Sequence, residues 1–143
     1  MNEYHAVFEM SIPIRWGDMD AFGHVNNTVY FRYMEQVRIG WLETLGTPPD
    51  NSAGQGPVIV NASMEFLKQL HYPGDVIGRM SVGQPGRSSF DTRFELVRAD
   101  DPHTVYARGA ARCVWVDYAA GKSMPMPDVL RAAIENAPLT DAA

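Results

Sequence analysis

Extended stretches follow one another between residues 58 and 118 with almost nothing separating them, and that spacing limits the fold more than any other feature of the chain. They read VIVNASMEFLKQL, DVIGRMSVGQ, SSFDTRFELVRA and TVYARGAARCVWVDY, and the breaks are HYPGD, PGRS and DDPH. Each break carries Pro or Gly where a turn needs one. A parallel pair of strands needs a crossover of roughly a dozen residues, so breaks this short predict antiparallel neighbours.

Upstream, HAVFEMSIPI at residues 5 to 14 places Ala6, Phe8, Met10, Ile12 and Ile14 at alternate positions, the pattern of a half-buried strand. Pro13 cannot donate to a ladder, so it fits a strand end or an edge. From Thr28 the period changes: Tyr30, Tyr33, Met34, Val37, Trp41, Leu42 and Leu45 recur at three and four, which predicts a helix over 28–45. Val29, Phe31 and Ile39 lie off that stripe, so the helix is expected to be covered on more than one side. Asn26, Asn27 and Thr28 are all competent caps, and Gly46 followed by TPP stops the helix. Residues 47–57 have no apolar period and read as a loop. A second helix is predicted from Pro127 to Ala137, with Val129, Leu130, Ala133 and Ile134 on its apolar side, and the last residues, PLTDAA, are expected to fray.

The chain has 143 residues, which suits one domain over 1–143. One strand, a long apolar helix, four strands and a short helix predict an α+β fold, with a five-stranded, mostly antiparallel sheet wrapped around the long central helix. The net charge of −5 lacks the positive field of a nucleic-acid binder. Cys113 is the single cysteine and cannot form an internal disulfide. The start of the sequence has neither a basic leader nor an apolar run long enough to span a bilayer. No membrane association and a cytoplasmic location are the expectations.

Polarity concentrates in GDMDAFGHVNN, residues 17–27. Aspartate, asparagine and glycine are turn and cap residues, so a strand-to-helix connection accounts for the composition. The stretch also leads straight into the predicted helix, whose first N–H groups have no backbone acceptor. A carboxylate beside that tip supplies a base, and the tip supplies donors for an oxyanion. Acyl transfer needs both. Asp18, Asp20 and His24 together match no metal-ligand spacing, and no phosphate-loop or dinucleotide-binding pattern is present. No metal or organic cofactor is expected.

The stretch RWGDMDAFGHVNNTVYFRYMEQVR resembles the N-terminal motif of hotdog-fold thioesterases of the 4-hydroxybenzoyl-CoA and acyl-CoA thioesterase group. YPGD at 72–75, GRSSF at 86–90 and VWVDYAAGKSMPMP at 114–127 extend the likeness over nearly the whole chain. The resemblance implies thioester hydrolysis by Asp20, as nucleophile or as general base for water. It also implies polarisation of the carbonyl by a backbone N–H at the helix start, at about Asn27. GHVNN is similar to plant acyl-carrier-protein thioesterases, in which the histidine is catalytic; that role carries over to His24. Those relatives have asparagine where Phe22 stands, so their full arrangement does not carry over.

The same resemblance makes an apolar or aromatic acyl-CoA the expected substrate, with an acyl carrier protein as another possible carrier. Phe22 and Tyr30 are candidates to line the acyl site, and Arg87, Ser88, Ser89 and Lys68 to hold the coenzyme. A homodimer with one sheet across both chains, or a homotetramer, is implied. A hotdog enoyl-CoA hydratase and a non-catalytic acyl-CoA-binding homologue are the alternative readings.

Overall fold

The computed structural model describes residues 3–140. Its elements are β1 (Tyr4–Pro13), α1 (Asn27–Thr44), β2 (Gln55–Phe66), β3 (Asp75–Gly83), β4 (Ser89–Arg98), β5 (Ala107–Asp117), β6 (Lys122–Ser123), α2 (Asp128–Asn136) and β7 (Leu139–Thr140). All pairings are antiparallel, in the order β2-β5-β4-β3-β1-β7, with β6 added to β5. Two of the short breaks, PGRS and DDPH, become the β3–β4 and β4–β5 hairpins. The third, HYPGD, does not, because β2 pairs with β5 while β3 lies between β4 and β1, so this connection crosses the end of the sheet instead of joining neighbours.

Among the described residues the sheet has seven strands, not the five expected. The two additional strands are only two residues long: β6 folds back on Val116 and Asp117, and β7 pairs with Tyr4 and His5. Neither carries a period that a sequence reveals. The alternation in β1 is also interrupted. A bulge between Ala6 and Phe8 turns Ala6 outward, while Val7, Phe8, Met10 and Ile12 pack on the core. One extra residue in a strand reverses every later side chain. The loop expected over 47–57 is shorter, because Gln55, Gly56 and Pro57 already pair with Asp117, Val116 and Trp115.

Helix α1 lies on one face of the sheet and buries Tyr30, Tyr33, Met34, Val37, Arg38, Trp41 and Leu42. Its close approach depends on missing side chains beneath it. A Cβ on Gly109 would stand 2.7 Å from the Met34 sulfur, and one on Gly78 would run into Val37. Removing residues such as Trp41, Phe90, Phe94 and Trp115 from water stabilises the fold by roughly 1.5–3 kcal/mol each, and all are at most 2 % exposed. Among the described residues, no helix is long and apolar enough to cross a membrane.

The sheet has two distinct ends. The β3–β4 turn lies beside the start of β2 and the finish of β5, because Gly83 pairs with Tyr4, Ser89 with Val114 and Gln55 with Asp117. The finish of β1 and of β2 lies at the other end, with Pro13 opposite Asp75 and Phe66 opposite Ala107. Helix α1 starts at this second end, where Tyr30 meets Phe66 edge-on at 5.1 Å, and runs to the first, where Trp41 meets Phe90 at 6.2 Å. Strand β2 is an unpaired edge that exposes Val58, Ile59, Val60 and Phe66.

Candidate active site

The connection from β1 to α1 is a small hairpin on a fixed base. Met19 bridges Val25, the Asp20 N–H donates to the His24 carbonyl at 3.0 Å, and the Gly23 N–H donates to the Asp20 carbonyl at 3.1 Å. Gly23 has φ of 84°, a left-handed conformation that glycine adopts without steric cost. Chain reversal within DAFGH depends on it. Val25 N–H then donates to the Leu70 carbonyl at 2.8 Å and anchors the hairpin to the loop after β2.

The turn fixes the Asp20 carboxylate. Oδ1 accepts the Phe22 N–H at 2.9 Å, and Oδ2 accepts Asn26 Nδ2 at 3.2 Å. Asn26 is the N-cap of α1, and its Oδ1 accepts both the Thr28 N–H at 2.9 Å and the Thr28 hydroxyl at 2.7 Å. Those donors require oxygen at that position, so the amide nitrogen is the atom that faces Asp20. Asn26 thus ties the carboxylate to the helix tip through one side chain. The Val29 N–H goes to the Asn26 carbonyl. Among the described residues, the Asn27 N–H meets no acceptor, and Asn27 is exposed. The half-buried Asp20 carboxylate is thus linked through the Asn26 side chain to a helix start that carries an open N–H and the positive end of the helix dipole.

Asp18 occupies a different setting. It is 6 % exposed and accepts the Tyr33 hydroxyl at 2.8 Å and the Arg15 N–H at 3.0 Å, with Arg15 Nη2 at 3.2 Å from its other oxygen. Its carbonyl accepts the Asn26 N–H at 2.9 Å. Asp18 therefore braces the loop against α1 from within. Burial, and next the hydrogen bond to Asp18, hold the Tyr33 hydroxyl well above the ordinary tyrosine range.

The other residues named from sequence fall into two groups. His24 lies half-buried in the same hairpin, and Phe22 at its tip is 87 % exposed. Tyr30 is buried, accepting the Leu70 N–H at 2.9 Å and donating to the Lys68 carbonyl at 3.4 Å. Burial raises its hydroxyl above the ordinary range, against the opposing effect of the Leu70 bond. Lys68 stands at the same end, 5.1 Å over the Tyr106 ring and 3.9 Å from Asp101.

Arg87, Ser88 and Ser89 do not join them within one chain. Arg87 and Ser88 lie in the β3–β4 turn and Ser89 opens β4, at the opposite end of the sheet, where the Ser88 carbonyl accepts the Trp115 N–H at 2.7 Å and the Arg87 carbonyl accepts that of Met126 at 3.1 Å. Sequence reasoning recognised Asn26 as a cap but missed its second function of holding Asp20. The available signal was a cap asparagine whose amide is left over, six residues after an aspartate in a glycine turn.

A family model for the thioesterase-like superfamily matches residues 14–134. The PA2801 protein of Pseudomonas aeruginosa is 41 % identical, with a TM-score of 0.87 over 90 % of this chain and 98 % of that one. A chloroplastic acyl-acyl carrier protein thioesterase of Arabidopsis thaliana, ATL3, is 34 % identical over 122 residues, 82 % of this chain. The chain spans 60 % of the length of that plant protein. In fold it is similar to Slr0204, a 1,4-dihydroxy-2-naphthoyl-CoA thioesterase from Synechocystis, with a TM-score of 0.82 at 20 % identity over 90 % of this chain and 96 % of that one. With the family model matching most of its length, including the Asp20 hairpin and α1, the chain belongs to the thioesterase-like superfamily.

Proposed function

We propose that the protein hydrolyses acyl-CoA thioesters to the free acid and CoA, with Asp20 as the reacting carboxylate. The observation that carries this reading is the Asn26 tether, which holds Asp20 Oδ2 at 3.2 Å from the cap of α1. A thioester carbonyl seated over the Asn27 N–H meets an oriented donor where negative charge develops. As general base, Asp20 takes a proton from water while the water oxygen attacks the carbonyl carbon. The tetrahedral oxyanion then collapses, breaks the C–S bond and releases the CoA thiolate, which takes up a proton. As nucleophile, the Asp20 carboxylate attacks the carbonyl carbon, the C–S bond breaks and the CoA thiolate leaves and takes up a proton, and water then opens the mixed anhydride to free the acid and restore the carboxylate. His24, in the same hairpin, is assigned to assist the proton traffic.

The substrate tail is apolar or aromatic, with Phe22 and the Tyr30 ring as walls and Lys68 at the entrance. The carrier end requires a second copy of the chain. Two β2 edges paired antiparallel about a two-fold axis bring the β3–β4 turn of one copy alongside the Asp20 end of the other. Arg87, Ser88 and Ser89 then reach the coenzyme phosphates across the junction. In that assembly α1 is the central helix of the hotdog arrangement.

A panel of acyl-CoA substrates assayed with a thiol reagent tests the reading. Turnover by wild type with a loss of about 10²–10⁴-fold in Asp20→Asn is the expected result. Wild-type turnover in Asp20→Asn refutes the assignment.

A further inference from the structure

One charged side chain is buried with nothing to neutralise it. Arg38 is 7 % exposed, and its Nη1 has no hydrogen-bond partner, nor does any carboxylate reach it among the described residues. A buried guanidinium nitrogen without an acceptor, as at Nη1, is unfavourable, and native folds rarely keep one. An acceptor from outside the chain resolves the cost.

The place of Arg38 in the fold narrows the source. On α1 it follows Met34, which lies over Gly109, and precedes Trp41, which packs on Phe90, so it stands over the middle of β5. Cys113 is its neighbour there: burial pushes that thiol up to about 11, and Arg38 is the cation acting against the rise. Cys113 pairs with Ile59, at the middle of the open β2 edge. A two-fold axis that pairs the full length of β2 with its copy passes between Val60 and Asn61, level with Arg38. Each copy then presents to the other what lies within a helical turn of its own Arg38. Within that turn α1 carries one carboxylate, Glu35, three residues earlier. Glu35 is exposed, and its own chain offers it only Arg32 at 3.8 Å, itself 77 % exposed. Such solvated pairs contribute little and yield readily to a better partner.

We propose that Arg38 is completed by Glu35 of a second copy, giving two equivalent buried ion pairs that flank the two-fold axis and fix how the copies dock. This rests on the dimer assigned under the proposed function and adds the contact that makes the pairing specific. A charge pair of this kind discriminates against slipped registers of an otherwise apolar edge.

The test mixes two single variants, Glu35→Gln and Arg38→Met, one of them carrying a mass tag. Methionine fills the space of the arginine stem without its charge, so a folded chain is retained. Each homodimer of a variant lacks both ion pairs. The mixed dimer regains one, because the Arg38→Met chain still supplies Glu35 and the Glu35→Gln chain still supplies Arg38. Native mass spectrometry of an equal mixture is expected to show mixed dimers well above the statistical half. Sedimentation is expected to show Glu35→Gln dissociating at least about ten-fold more readily than wild type. Statistical mixing of variants, with wild type dimeric, overturns the ion pair and leaves the dimer standing. A monomeric wild type overturns the dimer itself and the inference with it.

Discussion

Replacing Asn26 by aspartate separates its two functions with one atom. Aspartate keeps the oxygen that accepts the Thr28 N–H at 2.9 Å and its hydroxyl at 2.7 Å. It ranks with asparagine as an N-cap, and its charge gains about 0.3–1 kcal/mol from the helix dipole. The helix therefore keeps its start. What disappears is the amide donor 3.2 Å from Asp20 Oδ2, replaced by a second anion. Two unit charges about 4 Å apart repel by about 4 kcal/mol at an effective dielectric near 20. Asp20 is half-buried, and solvent and salt screen a pair in that position. The repulsion that survives screening pushes the Asp20 carboxylate away from the place where the amide held it.

On the proposed mechanism, removing the donor that orients Asp20 and setting a second anion against it lowers kcat/KM, while the retained cap keeps the variant within about 1 kcal/mol of wild type in urea at pH 7. Urea titrations with kcat/KM against an acyl-CoA provide the measurement. Full activity in a folded Asn26→Asp refutes the idea that Asn26 orients the reacting carboxylate.

Tyr33→Phe removes the 2.8 Å donor to the buried Asp18 carboxylate without opening a cavity. A hydrogen bond to a buried charge is worth about 1.5–3 kcal/mol, which denaturant unfolding will read. An effect below about 0.5 kcal/mol would mean that Arg15 alone satisfies Asp18. Burial raises the pKa of both Tyr33 and Tyr30, so the stability they contribute is complete below the unfolded tyrosine value of about 10 and declines as pH rises beyond it. Unfolding free energy measured from pH 9 to 12 should fall in wild type and fall less steeply in Tyr33→Phe; parallel slopes would contradict the assignment.

Much of the fold is written in local pattern. The helix predicted over 28–45 occupies Asn27–Thr44, the one predicted over 127–137 occupies Asp128–Asn136, and β3 and β4 lie within a residue or two of their predicted limits. These elements announce themselves because each buries one face at its own period. The misses arise where a partner decides the outcome. The bulge after Ala6 depends on the facing strand β3, and β6 and β7 exist only through pairing with β5 and β1. Asp20 was legible as a residue type in a motif, whereas its tether from Asn26 depends on a chain reversal that brings positions six apart together. Arg38 escaped notice because an arginine in the apolar stripe of a helix reads as a solvated side chain until its burial is seen.

On the proposed site assignment, the separation of the sequence-named residues means that neither end of the chain suffices alone. Strand β4 begins at Ser89 and finishes ten residues later at Arg98, and at about 3.3 Å per residue that is roughly 30 Å. No side-chain rotation spans such a distance, so the turn bearing Arg87 cannot serve the Asp20 of its own chain. The proposed dimer, with a second copy reversed against the first, would bring the two ends together twice, once at each side of the axis. In that proposed assembly chemistry, coenzyme grip and subunit register would share one structural element: α1 would offer its tip to the thioester, its buried face to its own sheet, and Arg38 with Glu35 to the second copy.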